Sequence, residues 1–144
     1  MVLIRNSTVL SAAPEEAFDY LSDLRSEYEW NPNCTMVEKI TDGPVEQGTK
    51  YRAQWKRTPV LEIEIVDYQR PHTWTTHNGG PLEITYTGTL EPVADGTRLQ
   101  VDFDAKPHGW FRLIFPVFLL LLRRQEEANM TRLRQAFDRQ VLSS

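Results

Sequence analysis

Residues 107–141, PHGWFRLIFPVFLLLLRRQEEANMTRLRQAFDRQV, decide which fold this chain can adopt. The second half of this stretch spaces Met130, Leu133 and Phe137 at three and four residues, which is the period of an amphipathic helix. The first half is apolar nearly all round, a pattern that predicts a helical segment enclosed by protein. The sequence therefore predicts one long C-terminal helix that other elements must wrap.

The apolar run from Trp110 to Leu122 also invites a membrane interpretation. Arg112 and Pro116 interrupt it, and it is shorter than the ~20 apolar residues that a membrane-spanning helix needs. We therefore expect no stable insertion into a membrane. Burial in the protein core is the favoured interpretation of this run, and an anchor at the membrane surface is the alternative.

Short segments that alternate apolar and polar residues precede this helix. The clearest is 60–68, in which Leu61, Ile63 and Ile65 alternate with glutamates. Turn sequences such as NGGP at 78–81 and ADG at 94–96 separate these segments. Closely spaced strands of this kind pair antiparallel, with one face in water and the other face covered.

The N-terminal region predicts a strand followed by short helices. Residues 4–10 form a β-branched-rich segment, and Pro14 suits the first turn of the helix that follows. A second short helix or turn then ends at 30–32. Together the elements predict an α+β fold, in which a curved antiparallel sheet of about seven strands wraps the C-terminal helix and two short helices close one end. A chain of 144 residues fits a single domain, 1–144.

Charge and motifs exclude several classes of function. Residues 107–144 carry six arginines against three acids, but the acids alternate with the arginines along the predicted helix, so we expect no nucleic-acid partner. Cys34 and the three histidines lack paired metal-ligand spacing, and no glycine-rich nucleotide motif is present, so we expect no metal and no cofactor. Cys34 is interpreted as a packed residue, and the N-terminus, which lacks a signal peptide pattern, predicts a cytoplasmic location.

Five short segments carry a family resemblance. They are PEEAFDYL at 14–21, EWNP at 29–32, GTKY at 48–51, QRP at 69–71 and GTRL at 96–99. In this order and spacing the chain resembles the helix-grip fold of the START-like or SRPBCC superfamily, in particular its polyketide cyclase/dehydrase-like branch. The resemblance implies a cavity between the sheet and the long helix. Members include ligand carriers, lipid transfer proteins and a few cyclases, so the fold alone does not define the activity.

The residues of this chain suit such a cavity. Small-molecule sites are typically lined by aromatic side chains with a few polar groups. Gly88 and Ala53 are expected to leave space in the middle of the cavity. Core packing is the alternative for each residue taken singly. The candidate ligand-binding residues are Trp30, Tyr51, Ala53, Trp55, Ile63, Trp74, Thr76, Ile84, Tyr86, Phe103, His108, Phe111, Phe115 and Leu119.

Three functions follow from these observations. The favoured hypothesis is binding of a hydrophobic or aromatic small molecule, lipid-like or polyketide-like. The second is an enzyme of the polyketide cyclase, aromatase or dehydratase type, with Tyr86 and His108 as candidates for proton transfer, although no pair of acids lies on an inward strand face. The third is a lipid handler that docks on membranes through 110–122, with Arg123 and Arg124 near anionic head groups. The sequence does not indicate an oligomeric state.

Overall fold

The computed structural model describes residues 4–56 and 58–143, with side chains as far as Asp138. Its elements follow the predicted order. They are β1 (Ile4–Leu10), α1 (Pro14–Leu21), a 3-10 helix (Leu24–Ser26), α2 (Glu27–Trp30), β2 (Cys34–Lys39), β3 (Lys50–Trp55), β4 (Leu61–Gln69), β5 (Thr73–Asn78), β6 (Leu82–Val93), β7 (Gly96–Pro107) and α3 (Phe111–Ser143).

All seven strands join one antiparallel sheet. Its strand order is β1-β7-β6-β5-β4-β3-β2, so each strand from β2 onward pairs with the next along the chain, and β1 pairs with the last strand. Thr76 lies opposite Tyr86, and Tyr86 lies opposite Phe103, which places the three side chains in one row on one face. The predicted helix-grip fold is confirmed.

The hydrophobic core lies at one end of the grip, between the sheet, α1 and the second half of α3. Leu10, Phe18, Leu99, Leu133 and Phe137 are buried there and form one apolar cluster. Helix α1 begins at Pro14, as the sequence predicts, because a first-turn proline has no intrahelical hydrogen bond to lose. Burial of such side chains is the main source of stability.

The first half of α3 differs from the prediction. Leu113 is 85% exposed, Val117 65% and Leu120 60%, so the interpretation of 110–122 as an enclosed core segment was wrong. The physical reason is that a sheet covers only one side of a helix, and no second layer covers the other side among the described residues. A segment that is apolar all round therefore leaves one apolar face exposed.

The inward side chains of α3 nevertheless form a single stripe along the helix. Its partly buried side chains in the first half recur at helical spacing and continue into fully buried ones in the second half. In order these are Phe111, Phe115, Phe118, Leu122, Glu126, Met130, Leu133 and Phe137. One face of the helix is therefore turned inward along its length, but only its second half is sealed.

Candidate functional site

The grip has two regions that bury their side chains differently. We use "closed half" for the region around residues 129–137 of α3 and "open half" for the region between residues 111–126 of α3 and the sheet. Most of the candidate residues from the sequence are partly buried, and three of them, Trp30, Tyr86 and Phe103, pack against the core cluster. The partly buried candidates are Trp30, Trp55, Thr76, Ile84, Tyr86, Phe103, Phe111, Phe115 and Leu119.

Four other candidates, Tyr51, Ala53, Ile63 and Trp74, are buried in the protein itself. The Trp74 ring covers the backbone of Gly88, and a Cβ atom added to Gly88 would overlap its six-membered ring. The expectation that Gly88 leaves space for a ligand was therefore wrong. The missing side chain at Gly88 accommodates Trp74, a close approach that only glycine permits.

His108 lies on the exposed surface between β7 and α3. Its Nε2 atom is 3.1 Å from Oε1 of Glu83, whose Oε2 atom is 2.7 Å from Nε2 of His77. The hydrogen bonds with His77 and then His108 lower the pKa of Glu83. The structure therefore places His108 in a surface pair with Glu83 and does not bring it to Tyr86.

Tyr86 projects from β6 toward α3. Its ring meets Phe103 edge to face at a centroid distance of 4.9 Å. Burial raises the pKa of Tyr86 well above its ordinary value, and the carboxyl groups of Glu126 and Glu27 raise it further. The hydroxyl of Tyr86 is therefore protonated at neutral pH.

Glu126 contributes an interior carboxyl group from the inner stripe of α3. Burial, followed by the charge of Glu27, raises the pKa of Glu126 to about 8. Its Oε1 atom accepts a hydrogen bond from Nδ2 of Asn129 at 3.2 Å. At neutral pH this side chain is a neutral acid that can donate a hydrogen bond.

Glu27 contributes the second carboxyl group from α2, which lies against α3. Its Oε1 atom accepts hydrogen bonds from Nδ2 of Asn31 at 2.8 Å and from Nε1 of Trp55 at 2.9 Å. Burial raises the pKa of Glu27, and these two hydrogen bonds oppose that rise. Two like charges so placed do not ionise together, so the pair of glutamates tends to keep one proton.

Two more side chains adjoin this polar group. The Nε1 atom of Trp30 is buried without a partner in the described structure, and Trp30 packs against the core cluster, as Tyr86 and Phe103 also do. Cys34 is buried, and burial, followed by the charge of Glu27, raises the pKa of its thiol to about 12. A thiol with that pKa is unreactive, which agrees with its interpretation as a packed residue.

The sequence interpretation missed both glutamates because it searched only the strands for inward acids. Glu126 carried a readable signal, since it lies four residues after Leu122 and four before Met130 on the apolar stripe. Glu27 carried none, because its partner Trp55 comes from a strand 28 residues away. Among the described residues, no three histidine, cysteine, aspartate or glutamate side chains group as a metal site requires.

Two surface grooves lie outside the open half. One, of about 340 Å³, runs between β1 and α3, and the other, of about 310 Å³, lies between α1 and α2. Polar and charged residues make up most of both linings, and none of the partly buried aromatic candidates from the sequence is among them. An apolar ligand is therefore better matched by the open half than by either groove. The lining residues are Asn6, Ser7, Thr8, Glu127, Met130, Thr131 and Arg134 in the first groove, and Asp19, Tyr20, Asp23, Arg25, Ser26 and Glu29 in the second.

Comparisons with known proteins agree with this architecture. A START superfamily protein from Mycobacterium smegmatis superposes with a TM-score of 0.77 at 15% identity, over 94% of this chain and 97% of that one. A conserved protein from Geobacillus kaustophilus gives 0.72 at 18% identity, over 94% of both chains. At these identities the likeness shows the fold alone, a START-like helix grip.

The family follows from a second comparison. The model of the family described as "Polyketide cyclase / dehydrase and lipid transport" matches residues 1–138. The chain therefore belongs to this family. No curated protein matches it.

Proposed function

We propose that this chain binds a hydrophobic or aromatic small molecule, lipid-like or polyketide-like, in the open half. One observation carries the proposal: the inner stripe of α3 is fully buried from Met130 onward but only partly buried from Phe111 to Leu122. Apolar side chains on one continuous face lose water contact only where something covers them. A bound apolar molecule would supply that cover in the open half.

Both sides of the open half suit an aromatic guest. On the sheet, Thr76, Tyr86 and Phe103 form one row, and on the helix Phe115 and Leu119 are partly buried. Aromatic rings contribute much of the binding energy in such sites, and hydroxyl groups fix the orientation of the ligand. The family description, which includes lipid transport, supports the same function.

Two adjacent leucines allow a matched test. Leu119 is partly buried on the inner face of α3, whereas Leu120 is 60% exposed on the outer face. We expect the neutral dye N-phenyl-1-naphthylamine to bind the wild-type protein saturably with enhanced fluorescence. The inner substitution Leu119→Trp should weaken binding at least about tenfold by filling the site, and Leu120→Trp should leave it unchanged. Absence of binding, or equal effects of the two substitutions, would contradict the proposal.

An enzyme of the polyketide cyclase or dehydratase type is the second candidate. The interior pair Glu27 and Glu126 favours it, since two carboxyl groups of unequal environment are a usual source of general acid and base. Turnover of a poly-β-keto thioester, followed by absorbance of the aromatic product, would test this candidate. A wild-type rate no greater than that of Glu27→Gln would count against it.

The outer face of α3 supports the third hypothesis, docking on a lipid surface. Its exposed apolar side chains lie between Arg112 and Arg124, both exposed, which would face anionic head groups. Within the described residues, no helix combines the length and apolar character needed to cross a membrane. Flotation with phosphatidylserine vesicles should be lost in Leu113→Asp if this face docks, and absence of flotation by the wild type would exclude it. A single domain, a cytoplasmic location and the lack of a nucleic-acid partner stay predictions.

A further inference from the structure

We infer that the groove between β1 and α3 is a second binding site, which takes an extended dipeptide with free termini. The dipeptide lies along the edge of β1, with its ammonium group at Glu127 and its carboxylate at Arg134. This inference goes beyond the proposed function, because the groove lies outside the open half and its polar lining does not suit an apolar ligand.

The groove runs along a free edge of the sheet. Strand β1 is the first in the sheet order and pairs with β7 alone, so in the described part of the chain every second residue of β1 directs its backbone groups away from any other strand. Three consecutive residues, Asn6, Ser7 and Thr8, line the groove. Because successive side chains of a strand point to opposite faces, a groove that reaches all three lies along the backbone edge itself. Such an edge binds extended peptides, which add a strand to the sheet.

Helix α3 forms the opposite wall of the groove. Its lining residues recur at spacings of three and four, which places them on one side of the helix. They are Glu127, Met130, Thr131 and Arg134. Glu127 and Arg134 lie at the two ends of this row, about 10 Å apart along the helix axis. The helical wall therefore has a negative end and a positive end, with a thioether and a hydroxyl group between them.

Strand β1 and helix α3 run in the same direction beside the groove. The groove joins residues 6–8 of the strand to residues 127–134 of the helix. Farther along both elements, Oγ of Ser11 donates a hydrogen bond to Oδ1 of Asp138 at 2.7 Å. Glu127 therefore lies at the Asn6 end of the groove and Arg134 at the Thr8 end. A dipeptide with its ammonium group at Glu127 then runs parallel to β1.

Polar groups of the groove lack partners within the described protein. Nδ2 of Asn6 is buried without a hydrogen-bond partner there. None of the ion pairs between described residues includes Glu127 or Arg134. Buried polar groups in native proteins are almost always hydrogen-bonded, so the amide of Asn6 requires an acceptor from a ligand or water. A peptide carbonyl is such an acceptor, and the two termini supply the counter-charges for Glu127 and Arg134.

The size and charge pattern of the groove select among polar ligands. Its volume of about 340 Å³ is at the small end of the range for ligand sites. Extended residues span about 3.3 Å each, so the charges of a dipeptide match the separation of Glu127 and Arg134 better than those of a single amino acid do. A simple anion would be repelled by Glu127, and a simple cation by Arg134. A dipeptide zwitterion matches both ends.

The test titrates the isotope-labelled full-length protein with L-alanyl-L-alanine and follows its amide NMR signals. We expect a dissociation constant in the millimolar range, with shifts of the Asn6 side-chain amide and of backbone amides in 6–8 and 127–134. N-acetyl-L-alanyl-L-alanine lacks the ammonium group, and L-alanyl-L-alanine amide lacks the carboxylate. Each should bind at least about threefold more weakly than the free dipeptide, because it loses one ion pair.

Two variants assign each ligand charge to its residue. Glu127→Gln should abolish the preference for a free ammonium group and keep the preference for a free carboxylate. Arg134→Gln should do the reverse, a crossed pattern that a damaged fold would not produce. Glu16→Gln and Arg124→Gln remove exposed charges outside the groove and should leave both preferences unchanged.

The outcomes separate this site from the open half. Saturating N-phenyl-1-naphthylamine should leave the affinity for the dipeptide unchanged. Competition between dye and dipeptide would overturn the inference, as would equal binding of the free and blocked dipeptides, or binding of L-alanine as tight as that of the dipeptide. Absence of any shift with the dipeptide would also overturn it and would leave the proposed function, which the dye tests, intact.

Discussion

Leu119 and Leu133 lie four helical turns apart on the same side of α3, but only Leu133, which is 1% exposed, is sealed in the core. In the closed half, α1 and the curved sheet cover the inner face of the helix, and its outer face, with Thr131 and Arg134, stays exposed. In the open half, even the inner side chains are only partly buried. The difference teaches that this fold buries its core at one end of the grip, and the proposed function assigns the other end to a ligand.

The two halves also differ in polarity. The closed half buries the polar side chain of Asn129 beside its apolar cluster, but that side chain carries no charge. The open half instead contains two glutamates and a tyrosine whose pKa values burial raises, an arrangement that destabilises the folded protein. Groups that disfavour folding in this way are a common mark of a functional site.

The largest expected effect is on the closed half. Leu133→Ala should lower the free energy of unfolding by about 2–5 kcal/mol, because it removes a fully buried side chain and leaves a cavity. Urea denaturation measures the change. A loss below about 1 kcal/mol would show that the closed half is not the stable core.

A smaller loss of stability is expected at Gly88, where the Trp74 ring packs on the backbone of the neighbouring strand. Gly88→Ala should lower the free energy of unfolding by about 1–3 kcal/mol, because the new methyl group overlaps the Trp74 ring. Gly79→Ala, at an exposed turn glycine with open space around it, is the matched control. Equal melting temperatures of Gly88→Ala and Gly79→Ala would contradict the close packing of Trp74 on Gly88.

The buried carboxyl group of Glu126 in the open half should make the stability of the protein depend on pH. The pKa of Glu126 is about 8 in the folded protein against an ordinary value of 4.5, so the folded state binds more protons between these values. Stability should therefore fall as pH rises from 4.5 to 8, by at most about 1.4 kcal/mol per pH unit. Glu126→Gln should flatten this slope in urea unfolding series, whereas Glu127→Gln should not. An unchanged slope in Glu126→Gln would contradict burial of that carboxyl group.

The smallest effect is expected on the outer face of the open half. Leu120→Gln should change the free energy of unfolding by no more than about 0.5 kcal/mol, since this side chain is 60% exposed already. Urea denaturation of Leu120→Gln and Leu133→Ala compares the free energy of unfolding at two positions of the same helix. A loss close to that of Leu133→Ala would mean that the outer face is covered by protein in solution.

Strand alternation in the sequence was enough to predict the sheet, its inward face and the position of Tyr86. It did not reveal which parts of that face are sealed, because an apolar residue such as Leu119 or Leu120 looks the same whether protein, ligand or solvent covers it. Glu126 was readable from its place on the helical stripe. The role of Glu27 depends on contacts between distant segments, which no local pattern records.

Amide hydrogen exchange along α3, with and without N-phenyl-1-naphthylamine, tests the central claim most directly. The account predicts that amides of 111–122 exchange faster than those of 129–138 in the free protein, and that the dye slows the first group while leaving the second unchanged. Equal protection of the two groups in the free protein, together with no effect of saturating dye on 111–122, would contradict it.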